Sequence, residues 1–387
     1  MKKCFSLLNN VCIFTVLALG MALVFVATTL PQETLPRIEE LISLPQAYTY
    51  VDTNTEFKAQ FFQLCDSAIV KVNDENNKDP FFVDSYGVRA LCVAYDMTGN
   101  MKYLDASRKW SERMVELQQK MLPVGAYYMN YGRKPGEASG DWYVADCSSI
   151  AMGVLATAVR CGGDERVHFI NSVEQFVDLV LKNYVRPSGG ISDGLWPKYD
   201  GAWWCSSSLF GSLLFNLYNN TGNKTYLKEA FKIVDYLNKL DLSKVEPLPL
   251  SHQGPSLPMY VLEAYSAGLP FLSLDTSREK LALAKISWCL NWIKKEQQIP
   301  FSKRKWQLTD WWGAKYCGLP FHEFIYSRFF HNRNGLSDFA DRELLRLSRM
   351  VFSHKLNSKQ AEMFMLMSLA ERLDPGGIYR GNIRTKD

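Results

Sequence analysis

The sequence predicts an all-α protein, an (α/α)6 toroid preceded by a single N-terminal transmembrane helix. Three observations predict it. A helix–turn–helix unit recurs along the chain, amphipathic helices alternate with helices apolar on every side, and an uncharged apolar run precedes the first unit.

The apolar run is Val11 to Leu30, behind Lys2 and Lys3. Twenty helical residues at about 1.5 Å each span a hydrocarbon core of roughly 30 Å. The positive flank orients residues 1–10 to the cytoplasm and exports the remainder. The expected location is therefore a membrane-anchored protein with an exported domain, or a secreted one if the run is a cleaved signal peptide. Cleavage after Ala27 would leave Phe25 where a small residue is preferred, which favours an uncleaved anchor. Residues 31–55, with Pro31, Pro36 and Pro45, read as a stalk, and residues 56–387 as the toroid domain.

Within that domain, Tyr95 to Trp110 (YDMTGNMKYLDASRKW) aligns with Tyr218 to Ile233 (YNNTGNKTYLKEAFKI). The two tyrosines of the YL pairs, Tyr103 and Tyr226, stand 123 positions apart, and a weaker copy around Arg160 to Phe176 halves the period. Amphipathic helices are expected near 56–72, 101–120, 164–184, 223–240, 276–295 and 338–354. In the fourth, Tyr226, Ala230, Phe231, Val234 and Leu237 form one stripe while Lys228, Glu229, Lys232 and Asp235 face away. All-apolar helices rich in small residues are expected near 81–97, 142–161, 201–219, 256–268, 312–330 and 358–371, and such helices belong inside. Six outer and six inner helices close into a toroid. An open superhelical stack is the alternative, but it would keep both helices of each pair amphipathic.

Composition bounds the function. The 387 residues carry a net charge of +4, with no basic tract, so no nucleic-acid partner is expected. No phosphate-binding glycine loop, metalloprotease helix or hydrolase elbow appears, and the cysteines form no C-x-x-C pair, so neither cofactor nor metal is expected. Seven of the nine cysteines lie beyond the anchor region, mostly in apolar helical patterns, and read as buried thiols, with one disulfide an open alternative. Two sequons begin at Asn219 and Asn223.

The loops entering the inner helices hold the polar and aromatic surplus: FFVDSYG, GDWYVADCSS, GGISDGLWPKYDGAWWCSSS, LPLSHQGPS and WQLTDWWGAKYCG. The opposite connections, such as TGN, are short. Long loops on a rigid scaffold are where chemistry usually resides. Asp84, at the first inner helix, is either an N-cap or a site carboxylate. Asp146 falls in the first turns of the second, where burial beside Trp142 and Tyr143 would raise its pKa and suit a general acid; a structural hydrogen bond is the rival role. Asp193 and Asp200 lie in the glycine-rich loop before the third, as turn formers or as catalytic partners. Trp196, Trp203, Trp204, Trp311 and Trp312 sit at helix entries, as stacking platforms for sugar rings or as walls of a pocket. His252 is a further candidate ligand contact, and His322 reads as a core histidine.

These motifs resemble the (α/α)6 unsaturated glucuronyl and rhamnogalacturonyl hydrolases, the six-hairpin glycosidase-like group. The shared features are TG-x-x-x-YL after inner helices and the loop Gly189-Gly190…Trp196-Pro197…Trp203-Trp204, over roughly residues 80–240. The resemblance implies a hydrolase acting on uronic-acid-containing oligosaccharides: an aspartate protonates the C4=C5 double bond, water adds at C5, and the hemiketal breaks down. Asp146 matches the first aspartate of that group. The second falls at Cys205 or Ser206, where no carboxylate stands, so Asp193 or Asp200 would have to substitute, or the chemistry differs, or activity is lost. A polysaccharide lyase or uronyl epimerase using Tyr127, Tyr128, Tyr131 or His252, and an inactive glycan-binding protein, are the alternatives.

Overall fold

The computed structural model describes residues 54–138, 140–194, 201–244, 254–272, 276–329, 336–353 and 358–378. The expected anchor, nearly all of the stalk, Trp196, Asp200 and His252 lie outside the described residues. Among the described residues no helix is long and apolar enough to cross a membrane.

The described chain is helical and alternates outer and inner helices. The outer set is α1 (Asn54–Val72), α3 (Met101–Gln118), α5 (Gly163–Asn183), α7 (Lys224–Lys239), α9 (Thr276–Gln298) and α11 (Leu336–Ser353). The inner set is α2 (Phe81–Thr98), α4 (Val144–Ala158), α6 (Trp204–Thr221), α8 (Ser256–Leu272), α10 (Leu319–Phe329) and α12 (Lys359–Leu373). Each inner helix packs on the next, and α12 returns to pack on α2, so the ring closes. Closure rules out the open stack, whose terminal helices would not meet.

The fifth inner element departs from the expected helix over 312–330. It is a 3-10 segment, Gly313–Gly318, followed by a short α10. Gly313 and Gly318 bracket the tighter turns and Pro320 lies at the start of α10, where its missing N–H costs nothing. The 3-10 segment is itself buried, and it packs on α12 as an inner helix would.

Burial follows the sequence pattern. In α2 every residue from Phe81 to Ala94 is buried, and in α6 every residue from Trp204 to Leu217. Some buried serines of the inner helices donate to their own backbone, Ser148 of α4 to Val144 O and Ser208 of α6 to Trp204 O. Gly87 sits at the closing seam, where a Cβ would meet Met363 Sδ of α12 at 2.2 Å. A larger residue there would have to displace the Met363 side chain from the seam.

The TGN turns work identically in both strong repeats. Gly99 and Gly222 adopt left-handed φ values of 68° and 71° and end α2 and α6. Asn100 and Asn223 then cap the next helix, accepting from Lys102 N at 3.1 Å and Thr225 N at 3.0 Å. The seven cysteines from Cys65 to Cys317 are all buried free thiols.

Helices α2 and α8 stand opposite one another in the six-membered ring, and a buried ion pair crosses between them. Arg89 Nη1 reaches Glu263 Oε1 at 2.8 Å, and Tyr86 donates to Glu263 Oε2 at 3.2 Å. Arg89 lies eight residues into α2, about 12 Å along its axis. This cluster fills the ring bore below the loops that enter the inner helices, and forms a floor.

Candidate functional site

Above that floor, the entry loops bring three of the four expected carboxylates to the first turns of inner helices. Asp84 does not cap α2: the N-cap is Pro80, without a side-chain cap, and Asp84 lies one turn further in. Its fully buried carboxylate pairs with Lys359 Nζ of α12 at 2.6 Å and accepts from Asn77 Nδ2 at 3.0 Å. Burial pushes its pKa up to about 7, with Lys359 opposing. It therefore ties the first inner helix to the last.

Asp146 lies in the first turn of α4 and keeps part of its surface open. Among the described residues its carboxylate has no hydrogen bond. Desolvation raises its pKa to about 7, and the nearby Lys315 opposes that rise.

Asp193 is delivered by the loop before α6, which is pinned at several points. Ser192 N donates to Tyr184 O at 2.9 Å, Ile191 N to Ser207 Oγ at 2.8 Å, and Trp203 N to Ile191 O at 2.7 Å. Gly194, at φ 90°, lies against the Trp142 ring. The carboxylate so held is nearly fully buried, and Ser206 Oγ donates to its Oδ1 at 3.3 Å. Its Oδ2 has no partner among the described residues. Desolvation first, then the Asp146 charge, lift its pKa to about 8, against the Ser206 hydrogen bond. The charge of Asp146 thus disfavours ionisation of Asp193, and between about pH 7 and 8 the two carboxyls together hold one proton.

Cys205, one residue before Ser206, is buried, and its thiol is held well above its ordinary pKa by burial and then by Asp146 and Asp193. It stays protonated and is not a nucleophile.

Sequence reasoning missed Lys315, on the 3-10 segment. It is 1 % exposed, and its Nζ has no hydrogen-bond partner among the described residues. The ammonium lies 4.4 Å from the Trp312 ring centroid, 5.3 Å from Trp311, and 5.9 Å from both Tyr260 and Phe364. Desolvation lowers its pKa to about 7, with Cys205 and Asp146 opposing. Its neighbours come from α4, α6, α8 and α12, which encircle the ring, so the amine sits near the ring axis. The motif WWGAKYCG was visible, but nothing in it says that the lysine turns inward.

The aromatic candidates divide. Trp142 is fully buried, packed edge-on against Tyr184 at 5.2 Å, and Trp204 is also buried; both are walls without an open face. Trp142 supports the Asp193 loop instead. Tyr143, Trp203 and Trp312 are half-buried, and Trp311 is 39 % exposed, with its edge on Phe82. Of the tyrosines, Tyr127 is buried and bonded to Ser172 at 2.7 Å, Tyr128 donates to Asn130 at 3.4 Å, and Tyr131 stacks on Tyr143. His322 is a core histidine, 3.1 Å from Ser266 Oγ, and burial lowers its pKa to about 3.

No family model matches the chain, and no curated protein matches it in sequence. Solved structures do match its fold. An unsaturated glucuronyl hydrolase from Streptococcus agalactiae superposes with a TM-score of 0.57 at 11% identity, over 87% of this chain and 99% of that one. A family 76 glycoside hydrolase from a bovine Bacteroides thetaiotaomicron strain gives 0.57 at 12% identity, over 86% and 78%. A family 105 glycoside hydrolase from C. acetobutylicum gives 0.55 at 12% identity, over 81% and 99%. The fold is that of the six-hairpin glycosidase-like toroids.

Proposed function

We propose that this protein is a carbohydrate-active hydrolase of uronic-acid-containing oligosaccharides, with Asp146 and Asp193 as its acid/base pair. The observation that carries the reading is the contact between Ser206 and Asp193. The helix offers no carboxylate at Cys205 or Ser206, but the preceding loop delivers one against Ser206, within electrostatic reach of Asp146. The likeness in fold to unsaturated glucuronyl hydrolases supports the same reading. In the proposed reaction Asp146 gives its proton to C4 of an unsaturated uronyl residue. Water adds its oxygen to C5 and passes a proton to Asp193. The resulting hemiketal opens and releases the partner sugar, and proton exchange restores the pair.

The test is turnover of a 4,5-unsaturated glucuronyl disaccharide, followed by loss of absorbance of the double bond. Turnover by the wild type that disappears in Asp146→Asn supports the reading; undiminished turnover in that variant sinks it. Appearance of the double bond from saturated polymer would instead identify a lyase. Cys205 and Ser206 favour a second reading, a glycan-binding toroid without catalysis, for which binding without product is the signature. The charge-free run 11–30 behind Lys2 and Lys3 supports an exported, membrane-tethered domain, which protease protection of the N-terminus in intact cells would check.

A further inference from the structure

We propose that Lys315 is the specificity residue of this site, and that its ammonium receives the carboxylate of the uronic acid beside Asp146. This rests on the hydrolase reading for the choice of ligand, but on its own observations for the site. Two lysines, Lys315 buried and Lys359 half-buried, lie near the starts of inner elements, and they differ. Lys359 has its carboxylate, Asp84, at 2.6 Å. Among the described residues Lys315 has no hydrogen-bond partner, and aromatic faces surround it at 4.4 Å to 5.9 Å. A cation over an aromatic ring gains about 0.5–2 kcal/mol, whereas burying an ammonium costs several. An amine paid for so poorly within the fold is suited to an anion from outside it.

The anion would be a carboxylate on a ring-shaped ligand. Trp311 and Trp312 flank the amine, and both keep exposed surface that a sugar ring can cover. Asp146 lies within electrostatic reach, so a carboxylate at Lys315 brings C5, which bears it, to the acid/base pair. Gly313 fixes the approach, because a Cβ there would meet Gln307 O at 1.6 Å. The tight turn it allows aims the lysine inward. Anion binding would also draw the amine to its charged form, so ligand binding at pH 8 should take up protons through Lys315.

The experiment uses the full chain carrying Asp146→Asn, to allow binding without turnover, with and without Lys315→Met or Lys315→Arg. The probes are the 4,5-unsaturated glucuronyl disaccharide from hyaluronan and its methyl ester, titrated calorimetrically in two buffers at pH 8. Expected is a loss of about 30-fold or more for the acid in Lys315→Met, a change under about threefold for the ester, partial rescue by arginine, and loss of proton uptake. Equal weakening of acid and ester, no weakening, or no wild-type preference for the acid would overturn the assignment. Lysine-dependent binding of the acid without product from wild-type protein would leave Lys315 standing and remove the hydrolase reading. Turnover with an unchanged acid-to-ester ratio in Lys315→Met would do the reverse. If neither probe binds and neither is turned over, both fall. Thermal melts of each variant establish that it is folded.

Discussion

The Ser206 hydroxyl, on the first turn of α6, donates to Asp193 Oδ1 at 3.3 Å, thirteen positions earlier in the chain. That contact sets a loop carboxylate against the helix positions, Cys205 and Ser206, where the resemblance implies one and the sequence has none. It also lowers the pKa of Asp193, which burial and Asp146 have raised. The contact thus sets both where the second carboxylate lies and when it ionises.

Asp146→Asn and Asp193→Asn should each reduce kcat on an unsaturated uronyl disaccharide by roughly 10²–10⁴-fold, the usual yield of a positioned proton donor or acceptor. The double variant should be scarcely worse than either single one, because the pair acts as a unit. Steady-state kinetics on the three variants decide it; multiplicative losses would mean that the carboxylates act independently.

The pH profile should be bell-shaped and displaced far above the ordinary carboxylate range. Below about 7 both carboxyls carry protons and no base remains; above about 8 both are ionised and no acid remains; between these limits the reactive form is the minority one, with the proton on Asp146 and Asp193 ionised. Ser206→Ala removes a donor that favours the ionised form of Asp193, so its alkaline limb should move upward. Limbs near pH 4 to 5 would show that the buried pair is not the one at work.

Those same carboxyls should cost stability at alkaline pH. Their folded pKa values, about 7 and about 8, lie above the ordinary 3.8, so the folded state holds the protons more tightly. Their contribution is greatest below about pH 4 and is lost as pH rises through about 7 to 8. Asp193→Asn should therefore raise stability at pH 8.5, by an amount on the order of a few kcal/mol, and give no such gain at pH 4. Denaturant melts at both pH values test the sign.

Asp84→Ala should behave oppositely and destabilise the ring, because it strands Lys359 in a buried seam between α2 and α12. Breaking one side of a buried pair costs about 3–5 kcal/mol. Replacing both partners, Asp84→Leu with Lys359→Met, should recover most of that loss. Urea midpoints of the single and double variants provide the measurement; a single variant as stable as wild type would show that the pair does not staple the ring.

Much of the fold was legible in the sequence, for definable reasons. A helix apolar on every side has nowhere to go but inside, and an amphipathic one covers it. Leu209, Phe210, Leu213 and Leu214 therefore announced an inner helix, and Tyr226, Ala230, Val234 and Leu237 an outer one. TGN announced its turn because glycine reaches left-handed φ and asparagine caps the next helix. The broken fifth inner element was less legible, since a buried 3-10 segment carries the same apolar residues as a helix.

The site was legible only in part. The sequence by itself determined the alternation of helices, the face on which loops gather, and the presence of Asp84, Asp146 and Asp193 at helix entries, because periodicity and turn chemistry are local. Only the tertiary structure decided their roles. It spent Asp84 on Lys359, brought Asp193 to Ser206 and Asp146, buried Trp142 beneath the Asp193 loop, and turned Lys315 into the bore. Those outcomes depend on which helices meet when the ring closes and on how far each side chain is removed from water. Neither distance nor desolvation is a property of a residue type or of its spacing along the chain.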